Sequence, residues 1–176
     1  YRLTEVQAAI GIPQIRKLDK LVSVRTRLSE YLTEKLSKFE FLTTPVVRRG
    51  CTHTYYLYAL RFHNEKIGLS REQFVAALKA EGISAAQGYV RPIYLEPMFQ
   101  KKIAYGSQGC PFRCSFYNGK VSYEPGLCPT AERLHFNEII TTDICKYPNG
   151  EKEVDEFVLA VEKIVQNVDE LKGFAG

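Results

Sequence analysis

Apolar positions follow a helical period at both ends of the chain and cluster in strand-like runs between them. Near the start, Ile15, Leu18, Val22, Leu28, Leu32 and Leu36 recur at helical spacing, with charged residues on the other face. Ahead of them Thr4-Glu5-Val6-Gln7 has the capping-box form, with Thr4 as N-cap and Gln7 bonding back. Gly11 and Pro13 interrupt this segment. Proline removes a backbone donor and crowds the preceding turn, so a kink or two helices are predicted there. The small apolar turns from Val6 to Ile10 suit close packing against another body.

The run from His53 to Phe62 is rich in aromatic residues and predicts a strand buried on at least one face. Ser70-Arg71-Glu72-Gln73 is a second capping box. It opens a helix that points Phe74, Val75 and Leu78 inward and stops at Gly82 in the C′ position. A further strand is predicted from Ile83 to Gln87. Residues 88 to 128 form a long irregular region, followed by a short helix from Pro129 to Glu138 and a strand from Ile139 to Cys145. Val154, Phe157, Val158, Val161, Ile164, Val165, Val168 and Leu171 trace one face of a final helix, about Glu151 to Lys172. Short links between strands and helices predict an α+β fold: a small, mainly antiparallel sheet covered by helices, with a long N-terminal helix.

Composition sharpens this picture mainly by exclusion. With 176 residues, 45% hydrophobic and 25% charged, the chain is neither a disordered tail nor a rod, and it is long enough to bury a core. No apolar run reaches the roughly 18 residues of a transmembrane helix, so no membrane partner is expected. The net charge of +4 is scattered, and Arg48-Arg49 is its only adjacent arginine pair, which argues against nucleic acid. The chain begins at Tyr1 without Met and reads as the middle of a longer protein.

Five cysteines, Cys51, Cys110, Cys114, Cys128 and Cys145, are too few for a disulfide scaffold and point to reduced thiols in the cytoplasm. Cys110-Pro-Phe-Arg-Cys114 has the look of a metal half-site, but Cys128 stands without a second pair. No stoichiometric zinc is expected, and Cys110 and Cys114 are expected free or paired with each other. Among the three histidines, His53 opens the aromatic strand and is the best placed to face a cleft. Tyr55, Tyr56 and Tyr58 suit packing better than RNA stacking, because the basic companions are missing. The residues alone therefore assemble no complete catalytic set.

A resemblance adds what the residues do not. The opening Tyr1-Arg2-Leu3-Thr4-Glu5-Val6-Gln7-Ala8-Ala9-Ile10-Gly11, with Gln14-Ile15-Arg16-Lys17-Leu18-Asp19, closely resembles a segment of the DegT/DnrJ/EryC1/StrS sugar aminotransferases. His53-Thr54-Tyr55-Tyr56-Leu57-Tyr58 is similar to the family's H-x-Y-H-L-Y strand, and Leu78-Lys79-Ala80-Glu81-Gly82-Ile83 to its L-K-x-x-G-I turn. Tyr89 to Phe99, with Pro92, Tyr94, Leu95 and Pro97, resembles Y-x-P-(L/I)-(H/Y)-x-x-P-x-(F/Y). Cys128-Pro129-Thr130-Ala131-Glu132-Arg133 resembles the P-x-A-E-R helix.

The resemblance implies the small C-terminal domain of a fold-type I, pyridoxal-phosphate-dependent enzyme. It implies an amino group passing from an amino-acid donor, glutamate or glutamine, to a nucleotide-linked keto sugar or a keto cyclitol, in a cytoplasmic homodimer. Residues 1–40 are expected to be a long helix leading to a larger domain, and 41–176 the small α+β domain. The Schiff-base lysine is expected upstream of Tyr1, so the fragment alone should neither hold the cofactor nor turn over. Arg2 matches the arginine that reaches the cofactor phosphate of the neighbouring subunit, and a guanidinium suits a phosphate dianion. His53, Tyr89, Arg91 and Tyr94 match positions at the substrate cleft. Two departures stand out: Gly88 precedes Tyr89 where many members carry a histidine, and a longer cysteine-bearing loop follows Gln100. A non-catalytic binding module of the same fold, or a cysteine-based metal or thiol protein, are the alternatives.

Overall fold

The computed structural model describes residues 2–113 and 115–173; Tyr1 and Cys114, both named above, lie outside the described residues. In chain order the elements are α1 (Glu5–Leu36), β1 (Leu42–Thr43), β2 (Tyr58–Phe62), α2 (Asn64–Ile67), α3 (Arg71–Ala80), β3 (Ala86–Gln87), a 3-10 turn (Ile93–Leu95) and α4 (Pro97–Lys101). They continue with α5 (Pro129–Arg133), a π turn (Leu134–Glu138), β4 (Ile139–Thr142), α6 (Glu151–Gln166) and α7 (Val168–Lys172). The strands form one antiparallel sheet in the order β1-β2-β4-β3, with Tyr58 opposite Thr142 and Gln87 opposite Ile140.

Strand alternation decides which face the helices take. Tyr58, Leu60 and Phe62 of β2 are buried, while Ala59 and Arg61 between them are less so. Against the buried face lie Leu28, Leu32 and Leu36 of α1, Phe74, Val75 and Leu78 of α3, and Val154, Phe157, Val161 and Ile164 of α6. Phe62 and Phe74 stack with ring centroids 4.9 Å apart, and Thr33 Oγ1 and the Tyr58 phenol share a 2.7 Å hydrogen bond that fixes α1 on the sheet. The small antiparallel sheet with helices on one face is as the apolar patterns predict.

Local chemistry sets the boundaries of these elements. Both capping boxes form, at Thr4 with Gln7 and at Ser70 with Gln73. The end of α3 is a Schellman turn: Gly82 sits at φ +82, Ile83 N–H donates to Leu78 O at 2.9 Å, and Gly82 N–H to Lys79 O at 3.0 Å.

Five expectations need correction. Of the two outcomes expected at Pro13, two separate helices do not form: α1 runs continuously from Glu5 to Leu36 with Pro13 inside it. Ala9, whose carbonyl loses its partner to Pro13, is exposed, so water can take the missing bond and the cost stays low. The strand predicted from His53 begins only at Tyr58. Upstream, Tyr55 N–H donates to His53 Nδ1 at 2.8 Å and Tyr55 adopts φ +47, which turns the chain out of the sheet.

The strands predicted at 83–87 and 139–145 shrink to Ala86–Gln87 and Ile139–Thr142. Ile83 is taken by the Schellman turn, and Thr142 Oγ1 both donates to Ser84 O and accepts from Ile144 N–H, ending the ladder. The final helix is interrupted at Asn167, whose side-chain amide donates to Lys163 O at 2.7 Å and competes with the helical ladder.

Candidate functional site

The sequence-predicted residues divide into three places. At the sheet end next to Tyr58, the His53 ring lies 4.1 Å from that of Tyr55, with the imidazole exposed. Tyr56, three residues on, and Tyr89 present their phenols near one another, and they are 68% and 58% exposed. Interaction with the Tyr56 phenol, more than burial, raises the pKa of Tyr89 above the ordinary 10.0. Lys146, in the turn after β4, holds its ammonium 5.7 Å from the Tyr56 ring centroid. Together these groups form a solvent-facing edge of imidazole, two phenols and one cation, suited to hydroxyl-rich or anionic ligands.

Tyr56 and Lys146 are functional candidates that sequence reasoning left out. The signal for Tyr56 was available: adjacent tyrosines in an extended run face opposite ways, so if Tyr55 is buried Tyr56 is not. Nothing in the sequence points from Lys146 to Tyr56, because their approach depends on the turn after β4.

Tyr94 lies in the 3-10 turn after β3. It is buried, its phenol donates to the Glu132 carboxylate, and Cys128 N–H donates to the phenol oxygen at 3.3 Å. Burial and then the bond to Glu132 push its pKa up. Glu132 also accepts from Gly126 N–H at 2.6 Å; the Tyr94 bond first and the Gly126 bond second hold its carboxyl below the usual value. Arg91, three residues before Tyr94, is exposed.

Arg2 stands apart from all of these. The first core residue of α1 is Leu28, and at about 1.5 Å per residue the helix carries Arg2 tens of ångströms from the sheet. Arg2 is exposed, and no ion pair among the described residues engages it. A solvent-facing guanidinium of this kind fits a phosphate.

Gly88 marks where the chain leaves β3. Its N–H donates to Ile139 O at 2.7 Å, its carbonyl accepts from Thr141 Oγ1 at 3.2 Å, and its φ is +66. The π turn lies alongside, and the imidazole of His135 is packed against Gly88. The carbonyls of this turn are collected by one buried guanidinium. Arg71 Nη1 donates to His135 O at 2.9 Å and Ile139 O at 3.1 Å, and Nη2 donates to Phe136 O at 2.6 Å.

A cavity of about 360 Å³ opens nearby among Phe62, Asn64, Arg71, Arg133 and Asn137. Its charges are already matched: Arg71 is spent on carbonyls, and Glu138 is held by Arg61 at 2.9 Å and Arg133 at 2.8 Å.

Among the described residues no cluster of three or more His, Cys, Asp or Glu could hold a metal. Cys51 and Cys128 are exposed and Cys145 is buried. The expected relation of Cys110 to Cys114 falls on a residue outside those described. No described helix is long and apolar enough to cross a membrane.

The spore coat polysaccharide biosynthesis protein SpsC of Bacillus subtilis is 24% identical over 166 residues, covering 94% of this chain and 37% of SpsC. GDP-perosamine synthase of Caulobacter vibrioides is 29% identical over 100 residues, covering 56% of this chain and 26% of the synthase. Among solved structures, DesV of S. venezuelae, in complex with a ketimine intermediate, superposes with a TM-score of 0.71 at 19% identity, over 94% of this chain and 37% of DesV. The chain thus spans little more than a third of the length of SpsC and DesV. The profile of the DegT/DnrJ/EryC1/StrS aminotransferase family matches residues 1–135, and the chain belongs to that family.

Proposed function

We propose that this chain is the substrate-covering C-terminal part of a pyridoxal-phosphate-dependent aminotransferase. Its reaction moves an amino group from glutamate or glutamine to a nucleotide-linked keto sugar or a keto cyclitol. The observation that carries the reading is the match of residues 1–135 to the DegT/DnrJ/EryC1/StrS aminotransferase family, in a chain that leaves the phenols of Tyr56 and Tyr89 exposed.

Pyridoxal phosphate supplies the electron sink for amino transfer when bound; the residues here bind and orient. His53 and Tyr89 offer hydrogen-bonding groups to sugar hydroxyls. Arg91 is free to meet a diphosphate, and the Tyr94 ring, held by Glu132, bounds the cleft. Arg2 is the cofactor-phosphate ligand, and its distance from the sheet suits a phosphate on a neighbouring subunit of a homodimer. On the same reading the enzyme is cytoplasmic, residues 1–40 lead to a larger lysine-bearing domain, and 41–176 form the small domain.

The fragment alone should be inactive. Mixed with pyridoxal phosphate and reduced with borohydride, it is expected to show no stoichiometrically labelled lysine and no transamination of glutamate. One lysine labelled to stoichiometry, with turnover in the same preparation, overturns the fragment reading.

A further inference from the structure

Gly88 and His135 meet where β3 hands the chain to Tyr89. A β-carbon at position 88 would fall 2.8 Å from the carbonyl oxygen of His135, closer than real β-carbons approach, and a tight 3.0 Å from its Nδ1. The left-handed φ of +66 at Gly88 favours glycine independently. The His135 imidazole therefore stands in the volume that a side chain at position 88 would enter.

Two features hold it there. The π turn re-aims residues 134–138, and π turns recur at functional sites. Arg71 fixes that turn through the carbonyls of His135 and Phe136. The two ring nitrogens then differ. Nδ1 is buried with no hydrogen-bond partner. Nε2 is not among the buried unpartnered atoms of this half-buried residue, so it reaches the surface. An orphaned buried N–H is rarer than an under-satisfied buried acceptor, so the proton belongs on Nε2.

We infer that His135 is a further substrate-binding residue of the site, presenting an Nε2–H donor to an oxygen of a nucleotide-linked sugar. The absence of a side chain at Gly88 is what admits it. This rests on the cleft reading proposed above.

The test is long-range proton–nitrogen NMR of the three imidazoles at pH 8, followed by titration with UDP-N-acetylglucosamine. The expected result is the Nε2–H tautomer for His135 and a saturable shift of its Nε2 together with the ring signals of Tyr89. A matching shift with UDP alone assigns the acceptor to the diphosphate; a shift only with the sugar nucleotide assigns it to the sugar. His135→Gln should weaken binding about three- to tenfold, the worth of one hydrogen bond. Gly88→Ala, which drives a methyl onto the His135 carbonyl and Nδ1, should displace the His135 signals. A Nδ1–H tautomer, or a motionless His135 while Tyr56 and Tyr89 shift, overturns this inference and leaves the cleft reading standing. No shift at any of these residues overturns both.

Discussion

The phenol of Tyr94 donates its proton to the carboxylate of Glu132, and that one bond ties the 3-10 turn after β3 to the first turn of α5. The same carboxylate accepts from Gly126 N–H, so it also anchors the exit of the cysteine-bearing loop. These bonds hold the Glu132 pKa below its ordinary 4.5. The stability they add is therefore complete above about pH 4.5 and is lost as pH falls through the depressed folded value. Thermal melts across pH 3 to 6 should show this slope in the wild-type chain and a shallower one in Glu132→Gln. Equal slopes would show that the carboxylate contributes nothing through its charge.

Arg71 should be worth far more than a surface arginine. Its side chain is 7% exposed, and its guanidinium bonds the carbonyls of His135 and Phe136 in the π turn and adds a second donor to Ile139 O, which Gly88 N–H already reaches. Arg71→Met fills the volume but takes the donor from the His135 and Phe136 carbonyls, while Ile139 O keeps Gly88 N–H, at a cost of about 2–3 kcal/mol. Arg71→Lys should recover only part of this, since an ammonium lacks the fork that reaches three oxygens. Urea unfolding midpoints of the two variants check the order. A Met variant within about 0.5 kcal/mol of wild type, the scatter of neutral surface changes, would count against the role.

How much of this was legible beforehand depends on the range of the interaction. Capping at Thr4 and Ser70, the Gly82 stop and the inward faces of α3 and α6 are local, and each forms as the residues dictate. The shortened strands were not legible. What ends them is Tyr55 bending back onto His53, and Thr142 bonding to Ser84 some 58 residues away. The site followed the same rule. His53 and Tyr89 were named from matched motifs, whereas Lys146 over Tyr56, Glu132 on Tyr94 and His135 on Gly88 are tertiary contacts with no local signal.

Cys145 should be the inert thiol of the chain. Burial among core residues pushes its pKa up from 9.0 to about 11, and the nearby Ser29 hydroxyl only partly offsets this. A thiol that stays protonated does not attack. Under native conditions at pH 8, Cys51 and Cys128 should be alkylated by iodoacetamide within minutes, and Cys145 only after denaturation, as read by peptide mass spectrometry. The linkage has the opposite sign from that of Glu132. The unfolded thiol ionises near 9 while the folded one does not, so stability is whole below pH 9 and declines between about 9 and 11. Cys145→Ala should flatten that decline.

The first half of α1 carries an apolar stripe with nothing on it. Ile10 and Leu18 precede Leu28 and Leu36 by eighteen residues each, five full turns at 3.6 residues per turn, so each pair points the same way. At one end that face is sealed in the core, with Leu28 and Leu36 at 0% exposure; at the other, Ile10 and Leu18 are 60% and 53% exposed, with Val6 and Ile15 beside them. Covering one such side chain is worth about 1.5–3 kcal/mol, so a bare row of them favours association. The isolated chain should self-associate in a concentration-dependent way in sedimentation velocity. Ile10→Glu with Leu18→Glu should return it to monomer without moving the melting temperature, because neither residue touches the core. A wild-type chain that stays monomeric at high concentration would show that this face holds no affinity of its own. A double variant that melts lower would show instead that the stripe already supports the fold.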